Sequence, residues 1–242
     1  MPDEIAALGA GSRPLLGLLQ GTNPLVDWGW LADNFQDSIL PAIIGHIYLS
    51  LVPVAIAVAI SLPLGVLAAR VRGLYAPLTA VTGLFFAIPS LALFTILITV
   101  PGIGIGPNAV IIALVLYSLL VLIRNVVTGL DSVPGETIDA ARGMGLTPAQ
   151  ILFRVELPLA LPVIVAGVRI ATVTVIGIAT IGAYIGGGGL GVLIFDGINR
   201  NFNTMVIAGA VLATALAILA DLALLGLERY LRPWARRTRG AV

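Results

Sequence analysis

The run LALPVIVAGVRIATVTVIGIATIGAYI, residues 159–185, holds a single charged residue, Arg169. Four more such runs occupy residues 41–69, 75–100, 108–130 and 204–227, and between them they add only Arg124 and Asp221. An α-helix of roughly 20 residues crosses the hydrocarbon of a bilayer, and an apolar run of that length has no comparable burial in a single domain of this size. The remainder cannot cover such a surface: 59% of the 242 residues are hydrophobic and 10% are charged, where a soluble domain carries about a quarter charged. The sequence predicts an all-α integral membrane protein with about five transmembrane helices.

Several chemistries are excluded by residue type. All 13 basic residues are arginine, so there is no lysine to reach nucleotide phosphates in a P-loop or to form a Schiff base. There is no cysteine and only one histidine, His46, which removes disulfides, thiolate nucleophiles and an all-histidine metal site. A net charge of +1 gives no reason to expect nucleic acid as a partner. No bound cofactor and no metal site is expected, and the chain is read as non-enzymatic.

Arginine placement predicts orientation, because basic loops are retained in the cytoplasm. With five spans, one side receives Arg70, Arg72, Arg142, Arg154, Arg229, Arg232, Arg236, Arg237 and Arg239, and the other only Arg13 and Arg200. The N-terminus is predicted outside and the C-terminus inside, with membrane lipid as the surrounding solvent. Residues 1–40 form an extracytoplasmic or interfacial segment. It begins with acidic residues and is broken by glycines and Pro14, unlike a signal peptide. Its stretch WGWLADNFQD (28–37) suits a short interfacial helix. Residues 41–228 form the transmembrane domain, with a long cytoplasmic loop at 131–158, and residues 229–242 a basic cytoplasmic tail.

That loop contains ETIDAARGMGLTPAQILFRVELP, residues 136–158. It reads as two short helices with a break. Glu136 and Asp139 lie near the positive N-terminal end of the first, and Gly143 and Gly145 stop it. Thr147, Pro148 and Gln150 restart the chain as a capping box, and Pro158 and Pro162 end or kink the second helix. Ile151, Leu152 and Val155 form an apolar stripe with Arg154 off it.

The segment resembles the cytoplasmic EAA loop of bacterial ABC-importer permeases, E-A-A, three residues, G, nine residues, I-x-L-P. Asp139-Ala140-Ala141, Gly145 and Val155-Glu156-Leu157-Pro158 keep that spacing, with Asp for Glu and Val for Ile. Further stretches, AIPSLALF (87–94), LYSLLVLIRN (116–125), VELPLALPVIVAG (155–167) and IGGGGLGVLIFDGI (185–198), are similar to the branch that imports quaternary-ammonium osmoprotectants such as glycine betaine, choline and carnitine. The similarity covers roughly residues 40–228. It implies a permease of the type I ABC-importer fold in a bacterial inner membrane, working by alternating access. ATP and Mg²⁺ would be held by separate ATPase subunits, beside a second permease copy or paralogue and an extracytoplasmic solute-binding protein. It further implies that Glu136, Asp139, Ala140, Ala141, Gly145, Leu146, Leu157 and Pro158 couple to the ATPase.

Other residues carry two readings each. Pro89, Ser90, Tyr117, Arg124, Asn125 and Tyr184 are candidates for the translocation path. A ring such as Phe85, Phe86, Phe94, Tyr117 or Tyr184 can offer its face to a quaternary ammonium, although aromatic rings on membrane helices are commonplace. Arg124 and Arg169 are functional suspects by depth, or else snorkel or pair with loop carboxylates. Asp221 needs a partner, in this chain or a second subunit. His46 is expected as a hydrogen-bonding residue at the outer interface. Asp196, Asn199 and Arg200, placed in an outward polar loop, are candidates for docking the binding protein. The G-x-G-x-x-G at Gly186, Gly188 and Gly191 follows a membrane helix rather than a strand, so it is read as a sharp turn or gate and not a nucleotide site. The competing functions are a permease for another small solute such as an amino acid, an ion-coupled secondary transporter and an intramembrane protease. The secondary transporter lacks visible midplane ion ligands or an internal repeat, and the protease lacks a serine paired with His46.

Overall fold

Among the described residues of the computed structural model, four helices are long and apolar enough to cross a membrane, five when a bent pair is counted as one span. The structure describes residues 24–231. Residues 1–23 of the N-terminal segment and 232–242 of the basic tail lie outside the described residues, with the sequence expectations that fall on them. No strand occurs among the described residues.

A short helix α1 (Trp28–Asp33) leads through a π-helical turn, Phe35–Ile39, into α2 (Leu40–Arg70). Next come α3 (Tyr75–Ala87) and α4 (Ser90–Ile98), bent by 94° at the break, and then α5 (Pro107–Asp131). Helices α6 (Gly135–Gly143) and α7 (Pro148–Ile151) make the long polar loop, and α8 (Leu157–Gly182) follows. Beyond the glycine run, α9 (Gly191–Asn199) and α10 (Asn203–Tyr230) complete the described chain.

Helix α5 is the axis: α2, α3, α4 and α8 all pack on it, while α8 carries α10, and α10 carries α9. Its side chains Val110, Ala113, Leu114 and Tyr117 meet Leu49, Val175 and Ala179 in the largest apolar cluster. Small residues bring the backbones close. A Cβ on Gly65 of α2 would stand 2.6 Å from Val126 of α5, and one on Gly129 of α5 would stand 3.1 Å from the Ala160 carbonyl of α8. In lipid, where tails are as apolar as leucine, such close packing is a main source of helix association. By contrast α10 presents many exposed apolar residues, among them Val211, Ile218, Leu219 and Leu222.

Two expectations are refined here and one is corrected. The span expected at residues 75–100 is two helices bent at a break, because Ile88 and Pro89 leave the helix for extended backbone. Proline has no N–H to donate and disfavours helical backbone in the residue before it. Of the two outcomes expected at Pro158 and Pro162, ending the second loop helix or kinking it into the next span, the first is excluded: helix runs from Pro148 to Ile185 without interruption. A π-helical turn, Leu152–Glu156, lies just before Pro158, and its wider course takes up the crowding between the proline ring and the carbonyl four residues back. The segment carrying Asp196, Asn199 and Arg200 is no polar loop but helix α9, capped by Arg200.

Candidate functional site

The loop unit sits at one end of the bundle, with Arg70, Arg72, Arg142 and Arg154, and the glycine run marks the opposite end. Helix α6 terminates in a Schellman motif: the Leu146 N–H donates to the Ala141 carbonyl at 3.2 Å and the Gly145 N–H to the Arg142 carbonyl at 3.0 Å. Gly145 takes φ +81° there, a conformation only glycine adopts at little cost. Two residues on, the Gln150 N–H donates to Thr147 Oγ1 at 3.4 Å and the Thr147 N–H to Gln150 Oε1 at 2.9 Å, so the expected capping box is present.

Of the residues read as coupling positions, Glu136, Asp139, Ala140 and Gly145 are exposed, and Leu146, Leu157 and Pro158 are half-buried. Asp139 accepts a bond from Arg142 at 2.9 Å, one turn away. Ala141 is buried and seats α6 on the protein. Two residues that the sequence reading passed over complete the outward face: Met144 is 73% exposed and Phe153 68% exposed. Exposed apolar side chains beside a polar rim are typical of a surface that meets another protein. The only signal for Phe153 in the sequence is its place off the apolar stripe, beside Arg154.

Glu156 was passed over as well. It is buried, inside the π-helical turn, and pairs through both carboxylate oxygens with the guanidinium of Arg70 at the end of α2. A second pair, Arg72 with Asp131 at 2.6 Å, ties the start of the bent pair to the end of α5. The loop unit is therefore clamped to α2 at its base.

The translocation-path candidates fall in three places. Pro89, Ser90 and Tyr117 meet at the α3–α4 break, where the Tyr117 hydroxyl donates to the Ile88 carbonyl that the break sets free. Phe86 packs edge-on against the Tyr117 ring, with centroids 6.0 Å apart. Arg124 is exposed farther along α5, and Asn125 beside it lies against Gly167 of α8 and donates to the Val121 carbonyl at 2.8 Å. Tyr184 is exposed at the glycine end, its ring 5.7 Å from that of Phe195.

His46 and Asp221 both find partners within the described chain. His46 makes the expected hydrogen bonds, and makes them from a fully buried position inside the protein. Its Nε2–H donates to the Ile176 carbonyl at 3.1 Å, and its Nδ1 accepts from the Leu190 N–H at 3.3 Å, which fixes the neutral tautomer. It joins α2 to α8 and to the glycine run, where a Cβ on Gly189 would stand 2.9 Å from Nδ1. Asp221 finds its partner within the chain: Arg169 Nε and Nη2 donate to it at 2.9 and 3.0 Å, and Arg169 Nη1 to Glu228 at 3.2 Å. Arg169 thus pairs with the last span and not with the loop carboxylates.

At the glycine end a cavity of about 480 Å³ is lined by Trp30, Asn34 and Asp37 on one side and by Asp196, Arg200 and Phe202 on the other. Arg200 lies 3.7 Å from Asp196. Asn199, on the same helix, is exposed.

A polytopic helical bundle with one broken span, and a capped helical unit clamped at one end and exposed along its other face, has the form of a transport permease that takes its drive from a separate protein. The chain belongs to the family of binding-protein-dependent transport system inner membrane components, whose family model matches residues 61–237. It is 44% identical over 189 residues to the glycine betaine/carnitine/choline transport system permease protein OpuCD of Bacillus subtilis (strain 168), covering 78% of this chain and 82% of that one. It is also 44% identical over 191 residues to the osmoprotectant import permease protein OsmW of Salmonella typhimurium, covering 78% and 89%. Among solved structures, an inward-facing MetNI methionine ABC transporter matches with a TM-score of 0.72 and 28% identity, covering 79% of this chain and 95% of that chain. The protein is the transmembrane permease component of an ABC importer in a bacterial inner membrane.

Proposed function

We propose that this permease imports a quaternary-ammonium osmoprotectant, of the class of glycine betaine, choline and carnitine. The observation that carries the reading is the 44% identity, over most of both chains, to permeases named for those solutes. The loop end faces the cytoplasm and the glycine end the outside, so the N-terminus is out and the C-terminus in; the gathering of Arg70, Arg72, Arg142, Arg154 and Arg229 at one end supports this. Glu136, Asp139, Ala140 and Gly145, with Met144 and Phe153, meet a separate ATPase subunit that binds ATP and Mg²⁺, while this chain hydrolyses nothing. Leu146, Leu157 and Pro158 carry the movement into α8, which is one continuous helix with α7. The exposed face of the bent pair meets a second permease copy or paralogue. Asp196, Asn199 and Arg200, beside the 480 Å³ cavity, receive the solute-binding protein. Pro89, Ser90 and Tyr117 form a bend in the path that opens and closes as α5 moves.

The test is uptake of labelled glycine betaine, choline and carnitine by a host stripped of its own carriers and given this chain with its ATPase and binding protein. Uptake that stops on reversing Asp139 to Arg, while the chain still inserts, supports both the solute and the coupling face. Uptake of an amino acid alone moves the protein to the second reading, a permease for another small solute. Uptake unchanged by Asp139→Arg removes Asp139 from the coupling role.

A further inference from the structure

Helices α8 and α10 leave between them an open groove of about 730 Å³. Its walls are Ile170 and Val173 on α8 and Ile218 and Leu222 on α10, with Thr174 and Thr214 facing across it. Arg169 and Asp221 also line it, 24% and 36% exposed at the side chain. An ion pair left partly open between two membrane helices is costly against hydrocarbon, and such groups almost always face a bundle interior or a water-filled cavity. Such a groove belongs on an aqueous path.

Its chemistry suits one kind of occupant. A guanidinium has five N–H donors; Arg169 uses three of them on Asp221 and Glu228, which leaves two for a ligand carboxylate. A trimethylammonium group has no N–H at all, so it asks for apolar walls and a nearby negative charge. Ile170, Val173 and Ile218 supply the walls and the exposed part of Asp221 the charge. A small zwitterion lying antiparallel to the Arg169–Asp221 pair satisfies both ends at once, whereas a plain cation gains only the Asp221 side.

We infer that the α8–α10 groove is a subsite on the translocation path for a zwitterionic quaternary ammonium, its carboxylate on Arg169 and its ammonium beside Asp221. This rests on the solute class proposed above, and it adds a place and a selectivity: zwitterions are held there better than choline.

The chain has no cysteine, so Thr214→Cys, on the exposed groove wall, gives this chain one thiol. The assembled transporter, in vesicles permeabilised to reach both faces, is treated with a hydrophilic maleimide, and modification of this chain is followed by its mass shift. The expected result is modification slowed severalfold by glycine betaine and little changed by choline. Labelling by a lipid-soluble maleimide only overturns the inference, because the groove then faces hydrocarbon. Labelling that glycine betaine leaves unchanged, in vesicles that do take up glycine betaine, overturns the site while the proposed solute class stands. Vesicles that import no quaternary ammonium overturn both. As a second readout, Arg169→Lys is expected to lower glycine betaine uptake about tenfold relative to choline, 1.4 kcal/mol of discrimination. An equal loss for both solutes assigns Arg169 to structure alone and overturns the inference.

Discussion

The two ends of α8 are built in opposite ways. At the loop end the helix passes without a break through a π-helical turn into α7, and a buried glutamate fixed by Arg70 holds the joint to α2. At the glycine end the helix dissolves into a run in which Gly186, Gly188 and Gly189 all have positive φ, and a neutral histidine holds the turn by two hydrogen bonds. A continuous helix with a charged clamp transmits displacement. A chain of left-handed glycines, fixed by one side chain, permits a change of direction. Within the import cycle proposed above, the difference assigns α8 the part of a lever, driven at the clamped end and pivoting at the glycine end.

The largest effects fall where the pivot is blocked. In Gly189→Val the new side chain has to adopt φ +74° and would overlap His46. The left-handed backbone costs about 1–2 kcal/mol and overpacking a further 1–3 kcal/mol. Uptake is expected to be abolished, with a clear fall in the melting temperature of the purified protein. A Gly189→Val chain that melts normally and still transports removes the pivot from this comparison.

The clamp is next, and its two halves are unequal. Arg70→Gln leaves the carboxylate of Glu156, 4% exposed, without its cation, whereas Glu156→Gln leaves a guanidinium that is 49% exposed and can be solvated. Removing the partner of a fully buried charge costs about 3–5 kcal/mol; with Arg70 half in water, about 2 kcal/mol is expected for Arg70→Gln and about 1 kcal/mol for Glu156→Gln. Thermal melts of the two variants check the order. Transport should fall further than ATP hydrolysis in both, since the ATPase keeps its docking face while the lever slips at its base. Equal loss of the two activities means that the pair serves docking and not transmission.

How far these features could be read from the sequence depends on whether they are local. The apolar runs, the Schellman glycine at 145 and the Thr147–Gln150 box all lie within a few residues of their partners, and each was legible because spacing alone sets its geometry. His46 was not, because Ile176 and Leu190 are 130 and 144 residues away; a histidine at the start of an apolar run looks interfacial until the turn that receives it is in place. Glu156 was hidden in the same way by Arg70, 86 residues distant. The break at Ile88–Pro89 could have been drawn from the proline, yet Pro53, Pro63 and Pro162 sit inside intact helices. What separates Pro89 is the Tyr117 hydroxyl waiting for the freed carbonyl, again a partner from another helix. Tyr117→Phe, which removes that hydroxyl and little volume, is expected to destabilise by about 1 kcal/mol and to change the temperature dependence of transport more than its solute preference. A Tyr117→Phe melt equal to the parent's means that the break is held by packing.

The smallest effect belongs to the cap of α7, and it sharpens the comparison by testing where continuity begins. Thr147 Oγ1 receives the Gln150 N–H, and Gln150 answers to the Thr147 N–H. Thr147→Ala removes one half of that exchange, a loss of about 1 kcal/mol for a typical N-cap. The first turn of α7 then frays, but Ile151 is buried and the π-helical turn behind it is clamped by Glu156, so fraying should stop there. Hydrogen exchange is expected to quicken at Gln150 and Ile151 and to stay unchanged from Leu157 onward, with uptake reduced less than threefold and restored by Thr147→Ser. If protection is lost beyond Leu157, the lever is fixed by its capped tip rather than by the clamp, and the rigid end of α8 lies one turn nearer the ATPase than the Arg70–Glu156 pair implies.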